Sequence, residues 1–197
     1  MTLRHALLLV HAETVPPTPW RNGGGSTREL LAWPAGSEWQ LRISLADIER
    51  DGPFSVFSGV QRYFAVVAGA GVQLHFGPSV RRVTPNSKPL RFDGADAPIC
   101  ALIDGPTRDL NLMHRGGDAT MQNVLPGVAW DEDCAERGLF TVGGGTLHTA
   151  AHGAVELGRF TLAWSLERGA CHFAANSLSD PALWLGWTPG KPGGESR

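Results

Sequence analysis

Trp39-Gln40-Leu41-Arg42-Ile43-Ser44-Leu45 alternates without a break. In an extended chain, Trp39, Leu41, Ile43 and Leu45 fall on one side and Gln40, Arg42 and Ser44 on the other. This is a strand with an apolar face to bury. Its polar face must meet water or a polar cavity. Similar short runs recur on both sides of it: 3–11, Arg28–Trp33, Ile99–Ile103, Leu139–Val142, Ala154–Leu157, Arg159–Ser165 and Leu183–Trp187. Most stop at Gly, Pro or Asp-Gly. The 25 glycines and 14 prolines of the 197 residues are scattered between runs and form no low-complexity tract. Many short strands joined by many turns account for that distribution. No stretch carries a long amphipathic helix, so the expected fold class is all-β.

Two related stretches divide the chain. Arg62 to Phe76 starts Arg-aromatic, passes Gly69-Ala70-Gly71 and ends His-Phe; it reads as a hairpin. Arg159 to Phe173 has the same length and outline and starts 97 residues later, close to half the chain. Two similar β units packed together, each a jelly-roll-like barrel or sandwich, is the economical reading. The expected halves are 1–107 and 108–188, with 189–197 a flexible tail.

Composition narrows the partners. Net charge is −2 and no basic stripe is visible, which argues against nucleic acid. Ala6–Val10, bracketed by His5 and His11, is too short an apolar run for a membrane span or a signal peptide. Cys100, Cys134 and Cys171 are odd in number and form no Cys-x-x-Cys, which suits a reducing cytoplasm. No His-x-His pair occurs. His75 and His172 stand alone, and glycines flanking His148 and His152 argue against the helix that would align them. No metal and no cofactor are expected.

Trp20-Arg21-Asn22-Gly23-Gly24-Gly25-Ser26-Thr27-Arg28-Glu29-Leu30 is the costliest loop in the chain. Three glycines open backbone angles closed to other residues and permit close approach. A phosphate-cradling loop would need a Lys after the last glycine, and Ser26 follows Gly25. The loop is either a tight strand crossing or a pocket wall with Asn22 as an orienting amide. Arg28, Arg42 and Arg62 stand beside apolar strands, where an unpaired cation is expensive. Each needs a carboxylate from the chain (Glu29, Asp47, Asp104 or Asp109) or from a ligand, and Arg62 is the foremost candidate for the latter. In Asp109-Leu110-Asn111-Leu112-Met113, the residues Asp109, Asn111 and Met113 share a face that points either to solvent or into a cavity.

Three blocks together resemble the HutD/Ves family: Pro19 to Leu30, Trp39 to Ile48 with Asp51 to Arg62, and Arg108 to Arg115. The resemblance implies a bicupin and a regulatory or ligand-binding role in histidine utilisation. The implied ligand is a small acidic molecule, formylglutamate or a related intermediate. On that expectation Arg62 takes a carboxylate, Asn22 and Asn111 orient the formyl or amide end, and Arg28 closes the site. The alternative is a metal-independent enzyme on the same pathway, with Asp109 or His114 as acid or base. A third reading is docking of a partner or a second copy, giving a homodimer, through edge strands or the Trp-rich end.

Overall fold

The alternating stretch becomes the middle of a sheet buried on both sides. The computed structural model describes residues 6–85 and 87–190. Residues 3–5 of the first expected strand and 191–197 of the expected tail lie outside them. The described chain contains no α-helix, and so no helix long and apolar enough to cross a membrane. Its strands are β1 (Leu8–His11), β2 (Thr18–Pro19), β3 (Gly25–Trp33), β4 (Leu41–Ile48), β5 (Gly52–Pro53) and β6 (Gln61–Ala68). They continue as β7 (Val72–Phe76), β8 (Ser79–Val83), β9 (Leu90–Asp93), β10 (Ile99–Leu102), β11 (Thr107–His114) and β12 (Asp118–Asn123). The last six are β13 (Glu136–Thr141), β14 (Gly145–Thr149), β15 (Gly153–Leu157), β16 (Thr161–Trp164), β17 (His172–Ala175) and β18 (Ala182–Thr188).

These strands form two sandwiches. The first has a six-stranded sheet, β2-β3-β4-β11-β6-β9, and a four-stranded sheet, β5-β10-β7-β8. The second has a five-stranded sheet, β1-β16-β13-β18-β12, and a three-stranded sheet, β15-β14-β17. The two larger sheets pack against each other. Leu41, Ile43, Leu45, Leu110 and Leu112 from the first meet Met121, Phe140, Leu162, Leu185 and Trp187 from the second in one core. Each sandwich also has an interior of its own: Ile48, Phe64, Val66, Val72 and Leu74 in the first, Leu139, Leu147, Leu157, Phe173 and Trp184 in the second.

The run Arg62–Phe76 is not a hairpin. β6 and β7 lie in different sheets, and Gly69-Ala70-Gly71 is the crossing between them. Phe64, Ala65, Val66 and Val67 are all buried. Four successive buried residues need apolar neighbours on both faces, which a central strand has and a one-sided hairpin lacks. Gly69 and Gly71 have φ of +90° and +114°, and a Cβ on Gly69 would stand 2.6 Å from the Pro106 carbonyl oxygen.

The repeat is real in the sheets but sits in a different register. β6 pairs with β9 and β11, and β7 with β8 and β10. β13 pairs with β16 and β18, and β14 with β15 and β17. The six strands β6–β11 therefore correspond to β13–β18, and Arg62 corresponds to Arg137. The expected match, Arg159–Phe173, runs from β16 into β17 and is the counterpart of β9 and β10. Each half crosses between its sheets several times, so an apolar run, a glycine turn and a second run recur within a half.

The halves divide after His114, later than the expected 107/108 boundary. β11 is bonded on both sides within the six-stranded sheet, to β4 and to β6, so it cannot be assigned to the second half. β1 moves the other way and pairs with β16 of the second sandwich.

If the two large sheets hold each other in place, Leu112→Ala opens a void where no solvent reaches. A loss of about 2–5 kcal/mol in unfolding free energy is expected, measured by denaturant titration.

Candidate functional site

Strand register builds the site in rows. Across β4, β11 and β6 the first row is Arg42, Met113 and Arg62. The second is Ser44, Asn111 and Phe64, and the third is Ala46, Asp109 and Val66. These are the faces turned away from the second half. A cavity of about 670 Å³ opens over the first two rows. Thr27 and Glu29 of β3 extend its floor, Phe54 and Ser55 form one wall, and Trp20, Arg21 and Asn22 form another. Asn111 and Met113 thus face a cavity and not solvent.

Arg62 is the central group. It is only 9% exposed. Its Nε donates to Asn111 Oδ1 at 2.8 Å. The guanidinium lies 4.4 Å from the centre of the Phe54 ring, with Phe92 and Phe64 at 5.4 and 5.7 Å. Stacking on rings leaves the planar edge of the fork as the bonding direction. Among the described residues no carboxylate stands within ion-pair distance of it. Two of the carboxylates nearby are engaged elsewhere, Glu29 with Arg42 Nε at 2.7 Å and Asp47 with both Arg28 and Arg108, and a third, Asp109, makes no hydrogen bond to Arg62. Burial draws the Arg62 pKa down to about 10, against the opposing pull of Asp109. The group is still a cation at neutral pH, held out of water without a counter-charge in contact.

The two amides are oriented by bonds inside the chain. Asn111 Oδ1 accepts from Arg62, so its Nδ2 is the end left to donate. Asn22 Oδ1 accepts from the Gly24 N–H at 3.0 Å, which leaves its Nδ2 in the same role. With the hydroxyls of Ser44 and Ser55, the cavity offers donors almost everywhere, and Glu29 is its one lining carboxylate.

The glycine loop is at once a tight crossing and a wall of this cavity. The Trp20 N–H donates to the Gly25 carbonyl, and the Gly24 carbonyl accepts from Glu49 and Arg50. Trp20 Nε1 donates to Thr27 Oγ1 at 2.7 Å, which fixes the ring over the floor. A Cβ on Gly25 would stand 2.1 Å from the Asp47 carbonyl oxygen. Only glycine lets β3 begin that close to β4.

Asn22, Arg62 and Asn111 therefore meet in one cavity, and Arg28 does not join them. Arg28 sits opposite Leu45 on the other face of the sheet and forms an ion pair with Asp47. Alternation along β3 turns Thr27 and Glu29 inward and Arg28 outward. Asp109 lies just beyond the cavity lining, with 0% exposure and no hydrogen-bond partner at either carboxylate oxygen. Burial raises its pKa well above the carboxyl range, and Arg62 only partly opposes this. His114 shares the Leu110 and Leu112 face between the halves and does not line the cavity. Its Nδ1 is 3.0 Å from the Gly116 carbonyl oxygen, and burial lowers its pKa. Phe54, Trp20 and Ser44 are cavity residues that sequence reasoning did not select. Ser44 carried a signal, its place beside Arg42 on the polar side of the alternating strand. Phe54 follows a turn and carried none.

The second sandwich places different groups at the equivalent positions. Arg137 donates to the carbonyls of Glu167, Gly169 and Trp130, and its guanidinium lies 4.5 Å from the Trp130 ring centre. By register, Trp184 takes the place of Asn111. It stacks on Trp130, with centres 5.0 Å apart and planes 7° from parallel. Among the described residues no three His, Cys, Asp or Glu side chains gather into a metal-sized set.

The HutD family model matches residues 12–180. The chain belongs to the HutD family. A Pseudomonas putida relative, an uncharacterized 21.2 kDa protein in the hutC 3′ region, is 37% identical over 112 residues, 55% of this chain and 58% of that protein. Protein Ves of Cronobacter sakazakii is 33% identical over 102 residues, 51% of this chain and 56% of its own. The matched stretch thus spans little more than half the length of these curated relatives. Among solved structures, a conserved protein of unknown function from Pseudomonas aeruginosa PAO1 superimposes with TM-score 0.80 at 25% identity, covering 93% of this chain and all of that one. HutD from Pseudomonas fluorescens SBW25, in a formate condition, gives 0.78 at 28% identity, covering 93% and 98%. The pirin YhhW of Escherichia coli, at TM-score 0.60 and 11% identity over 94% of this chain and all of its own, shares the fold alone. The fold is the bicupin.

Gly25→Ala tests the loop. The added methyl meets a backbone oxygen that cannot rotate away, so a loss of about 1–3 kcal/mol is expected in denaturant unfolding.

Proposed function

We propose that this HutD protein binds a small carboxylate in the first-half cavity without a metal, and that an N-formylated amino acid of the formylglutamate type is the ligand. The role we assign to that binding is regulatory, in histidine utilisation. The observation that carries the reading is Arg62, a buried cation that meets no carboxylate within ion-pair distance among the described residues. A ligand carboxylate offsets the cost of that burial and makes two parallel charge-assisted bonds. Asn111 and Asn22 both present N–H groups, which suit a formyl oxygen. A free ammonium would meet Arg21, Arg42 and Arg62 with Glu29 alone to oppose them. A blocked amine is therefore favoured over a free one.

Isothermal calorimetry with formylglutamate, formiminoglutamate, urocanate and glutamate tests this. Formylglutamate is expected to bind at least tenfold more tightly than glutamate. Arg62→Ala is expected to weaken binding by at least about thirtyfold, the low end for removing one partner of a buried charge pair. Arg28→Ala, on the opposite face, should change affinity less than about threefold. No heat from any of the four at millimolar concentration overturns the proposal. Turnover of one of them by the purified protein replaces binding with catalysis.

A further inference from the structure

The carboxyl of Asp109 is an unexplained element of the first half. It sits on the inward face of β11, two residues from Asn111, between Ala46 of β4 and Val66 of β6. No solvent reaches it, and neither oxygen has a hydrogen-bond partner. An ionised carboxylate held so would lose its hydration and gain no bond in exchange. A carboxylate this close to Arg62 also has an electrostatic effect on the site: when ionised it reduces the field that Arg62 offers a ligand, and when protonated it leaves that field whole.

We propose that Asp109 sets the charge of the cavity: it is partly ionised opposite Arg62 in the free protein and becomes protonated when an anion lies against Arg62, so that ligand binding draws a proton from solvent onto this carboxyl. The inference rests on the carboxylate-binding reading above and adds a regulation to it. The groups acting on Asp109 come from three neighbouring strands. Arg62 of β6 favours its ionised form. Asp47 of β4 opposes it, and the Cys100 thiol of β10 is coupled to it, its own pKa pushed up to about 12 by burial first and then by Asp109 and Asp51. Arg42 of β4 acts on the same cluster through Arg62. A bound carboxylate neutralises Arg62, the cation that favours Asp109 in its charged form, and adds a repulsion of its own. The proton affinity of Asp109 therefore rises on binding. Linkage fixes the sign: ligand affinity is greatest where free Asp109 is already protonated. It falls as pH rises through the pKa of free Asp109, by at most tenfold per pH unit for one proton. The site would thus hold its ligand more weakly as the surroundings become alkaline.

The experiment is calorimetry of the full chain with formylglutamate from pH 5.5 to 8.5, at each pH in two buffers of different ionisation heat. The wild-type protein is expected to take up a fraction of a proton per ligand, with affinity falling as pH rises. Asp109→Asn cannot ionise, and is expected to show no uptake and a flat profile. Equal uptake in wild type and variant, or a flat profile in both, overturns the inference while leaving carboxylate binding standing. No binding at any pH overturns both. If the variant fails to fold, carboxyl-labelled aspartate NMR on the wild type decides. A titration of Asp109 that moves to higher pH when formylglutamate is added supports the inference, and a titration unmoved by ligand overturns it.

Discussion

Burial of one face of the six-stranded sheet against the second half is the constraint on which the rest of the molecule depends. Leu41, Ile43, Leu45, Leu110 and Leu112 are each at most 1% exposed. With that face consumed, alternation leaves the other face to Arg42, Ser44, Arg62 and Asn111. These residues cannot turn toward the inter-half core without placing a charge in it. The cavity follows from the core by a period of two. It lies over the first sandwich because the four-stranded sheet and the glycine loop do not close over the first two rows.

The second half shows a different use of the same framework. Arg62 and Arg137 occupy corresponding positions on corresponding strands. Each stacks on an aromatic ring, Phe54 in one half and Trp130 in the other. Arg137 reaches three backbone carbonyls through its two terminal nitrogens, while its Nε is buried without a partner. Arg62 has one bond to Asn111 and an open fork. The difference turns on one row of β11 and β18, where Asn111 on one side is matched by Trp184 on the other. An amide leaves space and offers a donor. An indole stacked on Trp130 takes the corresponding place and offers no such amide.

Much of this was legible in the residues. Alternation in Leu41–Leu45 and in Asp109–Met113 marked strands with one polar face, and both belong to the cavity sheet, whereas Trp39, expected beside Leu41, precedes β4 and packs with Met113 and Val60 instead. The glycine loop was recognisable as costly, and Asn22, Arg62 and Asn111 were recognisable as groups needing partners. Arg28 misled because a charge beside an apolar run has two remedies, an ion pair or a ligand, and the choice depends on which strand lies across from it. Asp47 of β4 lies within reach and supplies the ion pair. The apparent hairpin at Arg62–Phe76 misled for a related reason. A short glycine turn joins strands of one sheet or of two, and the turn residues are the same in both cases.

By itself, the sequence determined the all-β class, the two-unit organisation, the family and the chemical types of the cavity groups. Those follow from local pattern, from composition and from motifs along the chain. The tertiary structure alone decided that Arg28 meets a carboxylate and Arg62 does not, that the terminal nitrogens of Arg137 reach backbone carbonyls, and that Asp109 is sealed without a hydrogen-bond partner. Each of those depends on pairings between residues tens of positions apart, Arg62 with Asn111 and Arg137 with Glu167, which no local pattern encodes.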